Sequence, residues 1–208
     1  LLLLLNIAFI FFWLVFSIRY VWLPFVGMLL SVSYIYDYCP VNWPEKRPED
    51  ALKLLTYNTE FLARGEKNAE GRYPILDYLV ASEADIICLQ EGVAPKNLKS
   101  EYVDSIMAKA GYHIRRLHDG RAVIVCGDLN DSPISYSCHR LSSRLKSAFR
   151  QSGNGLGLSY NQKGFYFRID HIFVSDYWQT YETHVDKTAP WSDHYPMITY
   201  LKKHKKED

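Results

Sequence analysis

The sequence has almost no net charge. Its 24 Lys and Arg residues stand against 23 Asp and Glu, leaving +1. No global basic field advertises nucleic acid, and no acidic tail advertises a basic partner. Cysteine is scarce too: Cys39, Cys88, Cys126 and Cys138 are the whole set. None has the spacing of a metal site. A disulfide framework is not expected at this chain length, so the cysteines do not fix a compartment. Cys88 and Cys126 fall in apolar runs and read as small core residues. Charge is missing altogether from residues 1–36, apart from Arg19.

What fills that uncharged start is hydrophobic. Residues 1–18 (LLLLLNIAFIFFWLVFSI) are broken only by Asn6 and Ser17. After Arg19 and Tyr20, residues 21–36 are apolar again, with Pro24 and Gly27 inside. A spanning helix needs about 20 apolar residues, and roughly 17 suffice. Two spans joined by a very short Arg-Tyr turn fit this pattern, a transmembrane helical hairpin over 1–38. One long kinked helix is an alternative. A signal peptide is another, but the run is too long and has neither a basic start nor a clean cleavage site. Trp13, Trp22, Tyr34, Tyr36 and Tyr38 suit interfacial belts. If Arg19 marks the cytoplasmic side, the rest of the chain lies on the extracytoplasmic side. The chain opens on leucine rather than methionine, so a preceding segment, and with it an earlier span, is expected.

Residues 39–50 (CPVNWPEKRPED) read as an extended linker, because three prolines interrupt them. A soluble domain is expected over 51–202, and 203–208 form a charged tail. That tail reads as a frayed, solvated end; contact with anionic lipid is the alternative.

The domain is organised around VIVCGDLNDSP at 123–133. Four small or β-branched apolar residues read as a buried strand. Gly127 lets the backbone bend, and Asp128 and Asn130, two apart, would share a face at the strand's open end. An Asx-type turn would use the same residues without chemistry. Further strands are expected at 52–57, 85–89, 112–117, 165–174, 177–185 and 197–201. Helices are expected at 66–82, 98–111 and 142–149, and a polar loop at 152–164.

Functional side chains recur where these strands end: Asn58, Glu91, Asp128 with Asn130, Asp170, and Asp193 with His194. Mg²⁺ takes few carboxylates and completes its shell with water and phosphate oxygens, a role that suits Glu91. A histidine held by a carboxylate moves protons or stabilises transition-state charge, and Asp170 with His194 is the natural pair. Asn58 would serve equally as a turn residue, and Glu91 as a solvated loop carboxylate. His171, inside an apolar strand, reads as packed. Asp131 and Ser132 read as turn and cap residues.

In order, the chain carries TYN (56–58), LQE (89–91), GDLN (127–130), RIDHIFVS (168–175) and SDHYP (192–196). This series resembles the endonuclease/exonuclease/phosphatase superfamily, the DNase I-like fold. The resemblance covers roughly residues 52–201. It implies a mixed α/β (α+β) fold, a four-layered α/β sandwich of two packed mixed sheets with outer helices. It implies Mg²⁺, with Mn²⁺ as a substitute, and a phosphodiester substrate, either nucleic acid or phospholipid. By the same resemblance Glu91 is the principal metal ligand, with Asn58 near metal and phosphate and Asp193 at the metal-proximal side. Asp128 orients or deprotonates the attacking water. Asn130 positions that water and the phosphate. His194 contacts the phosphate, and Asp170 is its carboxylate partner.

The chain departs from the family pattern between Glu91 and Gly127. Members normally carry further strands there, whereas residues 112–117 supply at most one, an Asn-x-His motif is lacking, and Gly120 runs straight into Arg121. Two readings therefore stand. One is a membrane-anchored phosphoesterase acting on nucleic acid or phospholipid, with the bilayer as a partner and no obligate protein partner. The other is a catalytically impaired binding module, or a fragment of a longer active enzyme. A nuclease would use basic residues such as Arg115, Arg116, Arg121, Arg140, Arg144, Lys146 and Arg150, which a solvated basic face explains equally well.

Overall fold

The fold is seen in a computed structural model, which describes residues 2–92, 95, 98–112, 123–162 and 164–204. Two apolar helices come first. α1 (Leu2–Phe16) and α2 (Trp22–Tyr38) are joined by a short 3-10 turn, Ile18–Tyr20. They pack as a hairpin where Gly27 leaves room for Asn6: a Cβ at Gly27 would lie 2.7 Å from Asn6 Oδ1. The segment Ile18–Tyr38 is long and apolar enough to cross a membrane, whereas the apolar part of α1, Leu4–Phe16, is shorter.

The domain begins at β1 (Leu52–Asn58), whose alternation sorts its two faces. Leu55 and Tyr57 face one core and Leu54 the other. β1 pairs in parallel with β2 (Ile86–Gln90) and antiparallel with β7 (Met197–Lys203). β6 (Trp178–Val185) completes a four-stranded sheet in the order β2-β1-β7-β6. β3 (Ile124–Asp128), β5 (Asp170–Val174) and the two-residue β4 (Lys146–Ser147) form a second sheet in the order β3-β5-β4.

These elements make the layered sandwich that the sequence motifs imply. The outer face of the larger sheet is covered by α3 (Glu60–Ala63), α4 (Pro74–Ala81) and α5 (Ser100–Lys109), burying Leu62, Ile75, Leu76 and Leu79 on Leu55 and Tyr57. α3 is a single turn with left-handed backbone at Phe61 and Leu62. Between the sheets lie Leu54, Ile172, Val174, Met197 and Leu201, with Ala148 and Phe149 of α7 (Ala148–Ser152) added. Behind the smaller sheet, Cys138 of α6 (Tyr136–Ser142) packs on His171. Cys88 and Cys126 meet across the two sheets as small core thiols, and their shared hydrogen bond, with burial added, raises the Cys126 pKa.

Several elements differ from their sequence-based bounds. The helix expected at 66–82 is only Pro74–Ala81, because the residue before a proline is held extended and Tyr73 is so held. The helix expected at 142–149 is instead the end of α6, then β4, then α7, because Ser135 and Ser147 each cap a new helix. The strand expected at 165–174 starts at Asp170. Residues 159–162 and 164–168 run back on one another, with Tyr160 pairing with Phe167. The strand expected at 112–117, with Arg115, Arg116 and Arg121, lies almost wholly outside the described residues, as does most of the tail at 203–208. Among the described residues β2 and β3 are edge strands, flanking the shortened stretch.

The linker ties α2 to the domain. Asn42 N donates to Asn154 Oδ1 (2.7 Å), and Gly155 N donates to Pro40 O (3.0 Å). Arg150 pairs with Asp37 at 2.7 Å. Buried Arg168 donates to the Leu156 and Asp37 carbonyls and lies 4.2 Å over the Phe149 ring. Burial lowers the Arg168 pKa to about 10, which still leaves it charged at neutral pH.

Candidate active site

Strand direction gathers the functional residues. β1 and β2 are parallel, so Asn58 and Glu91 emerge at the same edge. β7 runs antiparallel to β1, with Met197 opposite Thr56, so the loop carrying Asp193 and His194 enters there too. β5 runs antiparallel to β3, and Asp170 is the direct partner of Asp128. Asp170 therefore opens its strand rather than ending it.

The centre is a buried histidine–carboxylate pair. His194 Nδ1 donates to Asp170 Oδ2 at 2.6 Å, and His194 Nε2 lies 3.8 Å from Asp128 Oδ2. Burial opposes the charged imidazole. The hydrogen bond and charge of Asp170, with Asp128 and Asp193 nearby, outweigh it and raise the His194 pKa. Asp170 N donates to Ser159 Oγ (3.2 Å). Ser192 Oγ accepts from His194 N (3.2 Å) and donates to Asn58 O (2.7 Å). The edge of Tyr160 meets the His194 ring, with centroids 5.2 Å apart.

Asn58 links the two halves of the site. Its Nδ2 donates to Asp128 Oδ2 (3.2 Å) and to Glu91 Oε1 (3.4 Å). Asn58 is 4% exposed, whereas Glu91 is open to solvent. Asp128 Oδ1 accepts from Asn130 N at 2.7 Å, and Asn130 Nδ2 approaches Asp128 Oδ2 at 3.3 Å. Asn130 is left-handed (φ 51°), a conformation that asparagine tolerates better than most residues. Asp193 Oδ1 lies 3.3 Å from Ser192 Oγ, whose proton goes to Asn58 O, and Asp193 lines an adjoining cleft of about 380 Å³ with Tyr160 and Trp191.

All seven residues singled out in the sequence thus reach one edge of the sandwich. Ser159, Tyr160 and Ser192 were missed as site residues. Ser192 was visible inside SDHYP, but Tyr160 had no local signal in a polar loop. His171 is packed, as expected: it hydrogen-bonds the Asp131 carbonyl at 2.9 Å, and burial lowers its pKa. Asp131 serves its own turn, receiving Ser132 N (2.9 Å) and the Ser137 hydroxyl.

The donors suit a hard divalent cation. Asp128, Asp170 and His194 each offer a ligand atom within 4.8 Å of the others. Within that group Asp170 and His194 Nδ1 already satisfy each other. The carboxylates of Glu91 and Asp128, bridged by the Asn58 amide, supply the oxygens that Mg²⁺ and Mn²⁺ prefer.

The model of the Endonuclease/Exonuclease/phosphatase family matches residues 55–194. The chain belongs to this family. The match runs from β1 to His194, so it encloses every site residue described above. Endonuclease/exonuclease/phosphatase proteins are hydrolases of the phosphoesterase and nuclease kind, and they typically use divalent metals. No curated protein and no solved structure gives a significant match to the chain.

Proposed function

We propose that this family member is a Mg²⁺-dependent phosphodiester hydrolase anchored in a membrane. Residues 1–38 are its anchor, 39–50 a linker, 51–202 the catalytic domain and 203–208 a tail. Arg19 in the α1–α2 turn supports placing the domain on the extracytoplasmic side. The observation that carries the catalytic reading is the buried Asp170–His194 pair, with His194 Nε2 aimed at Asp128.

Each residue has a role that its surroundings support. Asp128 accepts a proton from the attacking water. Asn130 fixes the Asp128 carboxylate and presents an amide donor to the phosphate. His194, whose protonated form Asp170 favours, donates to a phosphoryl oxygen and stabilises the charge that grows there. Glu91 and Asn58 would hold the metal, with Asp193 beside them. When bound, Mg²⁺ supplies charge neutralisation for the phosphoryl and leaving oxygens. Water forms the new P–O bond, and the ester oxygen departs with the bonding pair.

The test uses the full chain in detergent, with and without Mg²⁺, on DNA, RNA, sphingomyelin and an inositol phosphate. E91Q and H194A are the controls. Hydrolysis that needs Mg²⁺ and both residues is the expected result. A folded protein inert on the whole panel would replace the enzyme with a membrane-tethered binding module.

A further inference from the structure

The Asp170–His194 pair joins two segments that share no strand ladder. Asp170 opens β5 in the smaller sheet, and His194 precedes β7 in the larger one. Their side chains meet at 2.6 Å. Such a bond weakens steeply once its geometry departs from the ideal, so the two backbones must be fixed against each other.

Ser159 touches both of them. Its Oγ accepts from two consecutive amides, Ile169 N (3.3 Å) and Asp170 N (3.2 Å). Its carbonyl accepts from Tyr195 N (2.7 Å), the amide just after His194. Its own N donates to Phe167 O (2.9 Å). The peptide between Ile169 and Asp170 is therefore held at both ends. Its N–H goes to Ser159, and its carbonyl accepts from Leu129 N (2.9 Å), one residue past Asp128. A peptide is planar, so fixing its N–H and its C=O fixes the direction in which the Asp170 side chain leaves the strand.

Ser159 is 0% exposed, so it does not reach a substrate itself. A hydroxyl that only satisfied buried amides would serve anywhere in the core. This one lies where the amide of the dyad carboxylate and the loop of the dyad histidine converge. Tyr160 closes the same joint, bridging to His194 through its backbone and meeting the imidazole with its ring edge.

We infer that Ser159 is a positioning residue of the catalytic pair. Its hydroxyl holds Asp170 and its carbonyl holds the loop of His194, which together set the carboxylate at bonding distance from Nδ1. This rests on reading the site as a phosphodiester hydrolase. A misplacement of about 1 Å in such a site costs on the order of 100-fold in rate.

The experiment compares the full chain in detergent as wild type, S159A and S159T. Mg²⁺-dependent hydrolysis of bis(p-nitrophenyl) phosphate gives kcat and KM. In S159A kcat should fall by up to about 100-fold with KM unchanged, and S159T, which keeps the hydroxyl, should recover most of the loss. A second readout needs no activity. The Nδ1 proton of His194, assigned by its disappearance in H194A, should resonate far downfield in the wild type. It should move upfield or be lost to exchange in S159A, and return in S159T. Should S159A not fold, S159C takes its place, because its sulfur fills the site and accepts only weakly. A folded S159A with wild-type kcat and an unmoved resonance would overturn the inference, and so would equal losses in S159A and S159T. A wild type without hydrolysis would sink the hydrolase reading, and the resonance would then decide by itself whether Ser159 sets the pair.

Discussion

Asp170 and His194 share a 2.6 Å hydrogen bond inside the sandwich, at 2% and 4% exposure. One residue opens β5 and the other precedes β7, so the bond joins the two sheets at the site. Breaking it tests the site directly. In D170N, burial of the imidazole is no longer opposed by its main partner, so the His194 pKa should drop. Imidazole titration by NMR would show it. Catalysis should fall by about 10²- to 10⁴-fold. Unchanged turnover would remove His194 from the mechanism.

The two buried histidines should bend the stability curve in opposite directions. His194 has a raised pKa, so its contribution is complete below the ordinary value of about 6.5 and is lost as pH rises through the raised one. His171 has a lowered pKa, so its contribution is complete above about 6.5 and is lost as pH falls toward the lowered one. Melting temperatures of H171Q should therefore lose the acid-side decline just below about pH 6.5 and keep the alkaline-side one. An acid-side decline like that of the wild type would place its origin elsewhere.

Glu91 is exposed, and Asn58 is buried between it and Asp128. E91Q should leave the melting temperature in EDTA almost unchanged, as surface substitutions cost within about 0.5 kcal/mol. Calorimetry should show Mg²⁺ binding weakened at least about tenfold, since losing even a group that only orients a metal ligand costs that much. N58A should weaken binding and also destabilise the apoprotein by about 1–3 kcal/mol, because buried polar groups lose their donor. Full Mg²⁺ affinity in E91Q would move the metal to Asp128, Asp170 and His194.

Phe149 carries the junction between α2 and the rest of the chain: its ring lies under Arg168 and against Gly157. A Cβ at Gly157 would sit 2.3 Å from Phe149 Cζ, on a backbone with φ +57°. G157A should destabilise by about 1–3 kcal/mol, and F149A by about 3–5 kcal/mol. Denaturant unfolding measures both. A neutral G157A would mean that the ring is free to move.

The sequence by itself determined the family, most of the strands, and which polar residues come together at one edge of the sandwich. Largely apolar runs mark β1 and β3, because packing on both faces of a strand leaves a local pattern. Asn58, Glu91, Asp128, Asn130, Asp170, Asp193 and His194 were legible because each sits in a short, ordered motif. Tertiary structure alone decided how they meet. Asp170 reaches His194 because antiparallel pairing puts the start of β5 beside the end of β3, and register between strands distant in sequence leaves no local trace. Helix bounds around Ser135 and Ser147 depended on caps that compete with the apolar period. Tyr160 acquired meaning only through its neighbours, because nothing local in a polar loop says that its ring will meet His194.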